Sequence, residues 1–174
     1  MDIFNEYIVK HKKTSSDSLK LVGIIFGTFI ACILVSVLSL IIIPALASIS
    51  VFLLVAVAYG GIYLTNQLNV EYEYIQTNNE IDIDKIVSKK SRKRVITIDF
   101  KEIEICASVK SSEHKYEYEN TGNIQRTYDC TGDGVSGVYF VDIPVEGGKN
   151  RVLFQPPVKM IENAQKFNPR KIFI

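Results

Sequence analysis

At 174 residues the chain has room for one soluble domain beside any membrane segment. Lys+Arg number 20 and Asp+Glu 19, a formal net charge of +1, so no overall field directs the protein to nucleic acid or to acidic substrates. The three cysteines (Cys32, Cys106 and Cys130) show no CxxC and no Cys/His pair at metal-ligand spacing, and are read as structural thiols rather than a disulfide framework.

Met1 to Lys13 reads as a short amphipathic helix, because Ile3, Phe4, Tyr7 and Ile8 recur at helical spacing while Asn5, Glu6, Lys10 and Lys12 point elsewhere. Such a helix would lie on the inner membrane surface or pack on its own soluble domain. Thr14-Ser15-Ser16-Asp17-Ser18 supplies a polar joint and N-cap candidates, so residues 1–18 form the first segment.

Leu21 to Leu64 contains no Asp, Glu, Lys, Arg or His. As one helix at about 1.5 Å per residue it would be about 66 Å long, twice the hydrocarbon core of a bilayer. Two spans joined near Pro44, about 19–43 and 45–64 within residues 19–66, fit instead. Ala45-Leu46-Ala47 resembles a signal cleavage site, but a signal h-region is only about 7–15 residues, so the run is read as an uncleaved hairpin. Lys10, Lys12, Lys13 and Lys20 precede the run, and Lys89, Lys90, Arg92, Lys93 and Arg94 follow it. The positive-inside rule then predicts a multi-pass protein of the inner (plasma) membrane with both termini cytoplasmic. No ionisable group lies inside either span, which leaves a proton or ion pathway without a carrier.

Small residues recur every four positions: Gly23, Gly27 and Ala31 in the first span, Ala56 and Gly60 in the second. Counted from Pro44, Gly27 matches Gly60 in depth and Ala31 matches Ala56. These rows are expected to face each other inside the hairpin, the rival being a homodimer seam.

From Val70 the period changes to two. Val70, Tyr72 and Tyr74 alternate with Glu71 and Glu73, Asn78-Asn79 makes a turn that tolerates left-handed backbone, and Ile81 and Ile83 alternate with Asp82 and Asp84. Further strands are expected over Arg94–Phe100, Ile103–Ser108, Val138–Ile143 and Arg151–Gln155. Short ones are expected at Tyr116–Tyr118 and Ile124–Tyr128 in the turn-rich insert Lys110 to Gly137. Pro156-Pro157 opens a helix whose Pro157, Met160, Ile161, Ala164 and Phe167 share one face. The last residues, Arg170 to Ile174, add an edge strand or dip toward lipid. The soluble part, residues 69–174, is thus an antiparallel α+β domain of six to eight strands with one C-terminal helix, the order of a pleckstrin-homology-like (PH-like) barrel.

Tyr74 to Ile83, a basic loop and Arg94 to Ile103 together resemble bacterial PH-domain membrane proteins, in which a Tyr-x-x-Thr strand end, a turn and two further strands follow a pair of spans. Residues 1–10, 69–74, 80–86, 91–94 and 169–173 are similar to an uncharacterised family of small two-span bacterial membrane proteins. That resemblance implies no catalytic residues, and the Lys110 to Gly137 insert departs from the compact PH pattern.

The basic loop Lys89-Lys90-Ser91-Arg92-Lys93-Arg94 is the candidate contact for lipid or a partner, since a cation beside an anionic leaflet gains about 1 kcal/mol. Alternatively, it is a solvated turn that enforces topology. Flanking acids and the lack of an aromatic platform argue against nucleic acid. Asp129-Cys130-Thr131-Gly132-Asp133-Gly134 matches neither an aspartic-protease nor an EF-hand pattern, and His114 has no adjacent nucleophile. No catalytic, cofactor-binding or metal-ligating residue is assigned. The expectation is a non-enzymatic, membrane-anchored binding or scaffold protein contacting membrane lipid and a protein partner or a second copy. The alternative is a membrane-bound enzyme or a transporter accessory subunit, with its site in the insert at Cys130, Asp133 or His114.

Overall fold

The computed structural model describes residues 3–11, 13, 15–42, 47–132 and 137–174. Pro44, the Ala45-Leu46 pair, and Asp133 and Gly134 of the polar turn fall outside them. The chain divides into two compact units, one of Met1–Lys12 with Val70–Ile174 and the other of Lys13–Asn69. The apolar hairpin is therefore an insertion into a domain whose first strand precedes it.

The hairpin unit consists of α1 (Ser15–Ile42) and α2 (Ala47–Gln67). Ser15–Ser39 and Ile49–Gln67 are both long and apolar enough to cross a membrane, and neither is buried inside the protein. A core helix of a soluble protein would bury such a surface; these two leave Phe26, Phe29, Leu34, Phe52 and Val55 exposed. Hydroxyls within the spans are satisfied locally, with Thr28 donating to the Ile24 carbonyl at 2.7 Å and Ser36 to that of Cys32 at 2.9 Å.

The helices meet one residue away from the expected row. A Cβ built on Gly61 would lie 2.5 Å from Thr28 Oγ1, whereas one on Gly23, Gly27 or Gly60 meets nothing within 4 Å. Ala56 is exposed, and of that set Ala31, beside Ile24, Thr28 and Val35, and Gly60, next to buried Gly61, are half-buried. Depth matching from Pro44 fixes height along the axis but not rotation, and one residue turns a helix by about 100°. An apolar groove of about 350 Å³ runs along this contact from Ile24 to Asn66.

In the other unit the N-terminal segment is a strand, not the expected helix. β1 (Phe4–Lys10) pairs antiparallel with β2 (Val70–Thr77) over its full length. The helix-like recurrence arose from apolar residues on both faces of a strand: Tyr7 and Val9 point with buried Tyr74 and Tyr72, and Phe4 and Ile8 point out. β3 (Glu80–Val87) and β4 (Ser91–Asp99) complete a four-stranded antiparallel sheet in the order β1-β2-β3-β4. Asn78, at φ 54°, makes the first turn as its sequence suggests, and Ser88 and Lys89, at φ 55° and 57°, make the next.

The second sheet has the order β5-β7-β8-β6, built from β5 (Ile105–Ser108), β6 (Ile124–Asp129), β7 (Tyr139–Val145) and β8 (Gly148–Phe154). Among the described residues the two sheets do not close into a barrel, and β6 runs parallel to β8, which departs from the all-antiparallel expectation. Tyr116–Tyr118 lies in the short helix α3 (Lys115–Glu119) rather than in a strand. Tyr74, Phe100 and Phe154 fill the core between the sheets, and α4 (Val158–Gln165) adds Met160, Ile161 and Ala164. Gln76 Nε2 ties α4 to β2 by donating to the Met160 carbonyl at 3.0 Å. The C-terminus adds to the edge of β5, where Cys106 N–H donates to the Lys171 carbonyl and Phe173 N–H to that of Cys106, both at 2.8 Å.

Candidate functional site

The basic cluster divides into two kinds of residue. The turn is confined to Ser88–Lys90, and β4 begins at Ser91. Strand geometry therefore turns Arg92 and Arg94 onto the outer face of the first sheet, over acids of β2 and β3. Arg92 pairs with Glu73 at 2.8 Å, while Arg94 pairs with Asp82 at 2.6 Å and also bonds Asp84. Glu73 and Asp84 are buried although they face away from the core, because the arginine side chains lie across them. Lys89, Lys90 and Lys93 are exposed, and among the described residues no acid pairs with them. The free positive charge is thus Lys89 and Lys90 in the turn and Lys93 just inside β4, and the arginines are structural.

Glu73 has a second acidic neighbour in Glu6. Burial first, and then a hydrogen bond shared with Glu6, hold its carboxyl above the ordinary value of 4.5, against the pull of Arg92. The folded chain therefore retains this proton to higher pH than the unfolded chain. The stabilisation is complete below the ordinary value and is lost as pH rises through the folded one. We expect the domain's melting temperature to fall over that acid-side window in the unmodified chain, and that decline to disappear in Glu73→Gln. An unchanged decline would place its origin elsewhere.

The location of this tip follows from register. Val70 lies opposite Val87 and Lys10 opposite Glu71. The lysine turn therefore sits at the same end of the sheet as the two strand ends that continue into the hairpin.

A buried ion cluster holds α3 of the insert that begins at Lys110. Asp142 and Arg151 face each other across β7 and β8. Arg151 Nε donates to Asp142 Oδ1 at 2.7 Å and Nη2 to Oδ2 at 2.8 Å. The same guanidinium donates to the carbonyls of Glu117, at 2.8 Å, and Tyr118. These would otherwise be orphan acceptors at the end of a five-residue helix. Tyr118 packs on Phe140, and His114 stacks on Phe173 with ring centres 4.0 Å apart. α3 thus covers the outer side of the second sheet. Lys149 reaches Asp142 at 2.6 Å and, with Glu104, Asn120, Asn123 and Gly148, lines a polar cleft of about 210 Å³.

Of the residues of the catalytic alternative, Cys130 and His114 belong to different clusters, and Asp133 lies outside the described residues. Cys130 is buried in the main core, its N–H donating to the Leu153 carbonyl and its own carbonyl accepting from Tyr74 Oη at 2.5 Å. Burial pushes its thiol up to about 12 and raises that of Cys106 further, so neither is a ready nucleophile. His114 lies in the separate cluster against Phe173, 3.7 Å from Glu117. Among the described residues no group of three His, Cys, Asp or Glu could hold a metal ion.

Sequence reasoning missed Arg151, Asp142 and Gly132. The first two lie on predicted strands with only their charge as a signal. Gly132 is recognisable only in three dimensions, where a Cβ would fall 1.7 Å from Val9 Cγ1 and 2.9 Å from the Lys10 carbonyl oxygen. His11 Nδ1, 3.1 Å from the Thr131 carbonyl, belongs to the same contact.

Compared with known families, residues 1–174 match the family described as "Bacterial PH-like domain (DUF6106)". No curated protein and no solved structure matches the chain.

Proposed function

This chain belongs to the bacterial PH-like domain family, and from that premise we propose that it is a non-enzymatic, membrane-anchored binding protein. It holds its PH-like domain at the cytoplasmic face of the plasma membrane, where the lysine tip engages the anionic inner leaflet and the rest of the domain is displayed to a protein partner. The observation that carries this reading is the register just described. Val70 follows the end of α2 by three residues, at most about 10 Å of chain, and Lys89 and Lys90 belong to the turn just beyond its cross-strand partner Val87. Three unpaired lysines at that end gain about 1 kcal/mol each near an anionic surface, and the gain decays within a Debye length of about 8–10 Å. Lysines without a fork-like arginine recognise charge density rather than the shape of one headgroup.

On this reading both termini lie in the cytoplasm. Basic residues flank both ends of the apolar run, and β1 cannot pair with β2 unless the hairpin crosses and returns. The test is amine labelling of the full-length chain in nanodiscs. Lys89, Lys90 and Lys93 should be protected in phosphatidylglycerol-rich discs relative to phosphatidylcholine discs, and high salt should remove the protection. Equal labelling in the two lipids would refute the surface contact.

The polar cleft beside Asn120 and Asn123 favours a second reading, an enzyme or transporter accessory subunit with a small-molecule site at the insert. Loss of a measured activity in Asn123→Ala, with the lysine tip intact, would support it.

A further inference from the structure

We infer that the outer edge of β1 is a contact between two copies of this chain, paired antiparallel about Tyr7 so that the first sheet continues across a two-fold axis. β1 is the terminal strand of its sheet, and among the described residues no strand lies along its other edge. The groups facing that edge follow from the pairing with β2. Asn78 N–H donates to the Ile3 carbonyl at 2.9 Å and His11 N–H to that of Val70 at 3.0 Å. In this register residues 3, 5, 7, 9 and 11 direct their peptide groups to β2, and Phe4, Glu6, Ile8 and Lys10 direct theirs outward. The strand has no proline and no register shift, and among the described residues its edge is protected only by the charges of Glu6 and Lys10 and by Thr131–Gly132 at the Lys10–His11 end. Tyr7 lies on the core-facing side opposite fully buried Tyr74, yet is 43% exposed. The inner layer therefore stops one strand short.

A second copy of β1 supplies that strand. With Tyr7 opposite Tyr7, the two rings form a close, non-hydrogen-bonded pair with Cβ atoms about 4.5–5.5 Å apart. Glu6 and Ile8 of each copy then exchange backbone hydrogen bonds, and each Glu6 lies diagonal to the other copy's Lys10 and to the other Glu6, so two opposite-charge diagonals outweigh one like-charge diagonal. Sliding one step toward the N-terminus sets Glu6 against Glu6. Sliding the other way leaves only the Ile8–Ile8 pair independent of the Lys10 carbonyl, against which Gly132 already lies, whereas the Tyr7-centred register has two such pairs. Confinement of both copies to one bilayer raises their effective concentration and so favours an edge contact that would be weak in solution.

The experiment compares Tyr7→Cys with Thr97→Cys on β4, each in the full-length chain carrying Cys32→Ala, under oxidation in native membranes. Tyr7→Cys should give disulfide-linked dimer at about ten times the yield of Thr97→Cys, given the short Cβ separation. Adding Glu6→Lys should lower that yield, and Glu6→Lys with Lys10→Glu should restore it. In parallel, photobleaching steps of a C-terminal fluorophore on the unmodified chain should count two copies per spot. Equal yields at the two positions, indifference to the charge swap, or single copies per spot would overturn the inference.

Discussion

Replacing Arg151 by Met is expected to destabilise the PH-like domain by about 3 kcal/mol, the low end of the cost of breaking a buried ion pair. Asp142 is fully buried and Arg151 is 3% exposed, so water cannot replace the lost partner. Lys149, 2.6 Å from Asp142 Oδ2, keeps part of the compensation, which is why the low end applies. The loss should be local as well as global. Two α3 carbonyls lose their donor, and the guanidinium also leaves its position 5.0 Å from the Phe140 ring centre and 5.4 Å from that of Tyr118. Hydrogen exchange over residues 115–124 should therefore accelerate more than exchange in β2 and β3. Adding Asp142→Leu should recover part of the stability, because it removes the unpaired carboxylate, while the two α3 carbonyls stay without their donor and Lys149 keeps only Glu104, 3.8 Å away. Denaturant unfolding of the three proteins checks this; a loss below about 0.5 kcal/mol, the range of an ordinary surface substitution, would mean that the cluster does not hold the insert.

Gly132→Ala should cost about 1–3 kcal/mol, the usual range for overpacking, and should loosen β1 before the rest of the domain. The new methyl would fall 1.7 Å from Val9 Cγ1 and 2.9 Å from the Lys10 carbonyl oxygen. The first clash involves a side chain and the second a backbone atom fixed in a paired strand. Val9→Ala should therefore rescue Gly132→Ala only in part. Hydrogen exchange along residues 4–10 reports the loosening, and unchanged exchange there would show that the segment 130–132 does not seat on β1.

The hairpin was legible because no other structure accommodates so long an uncharged run. The hairpin of β2 and β3, the strands β7 and β8, and the amphipathic α4 were legible because one face of each is apolar at the right period. β1 was not, since its apolar residues lie on both faces and mimic a helical stripe. α3 was missed because its carbonyls are satisfied by Arg151, more than thirty residues further along. The small-residue rows identified helices able to pack closely but not the rotation at which Thr28 meets Gly61. In sequence the basic loop is five like charges. Only the pairing of β4 with β3 shows that Arg92 and Arg94 are spent on Glu73, Asp82 and Asp84, leaving the lysines free.

The central claim is that residues 1–12 and 70–174 build one domain from which an apolar hairpin crosses the membrane and returns. It is tested most directly by protease accessibility of epitope tags at the two ends of the chain. In intact spheroplasts both tags should be protected from added protease, and both should be cleaved once the membrane is permeabilised. One tag cleaved and the other protected before permeabilisation would contradict the account, because β1 could not then pair with β2.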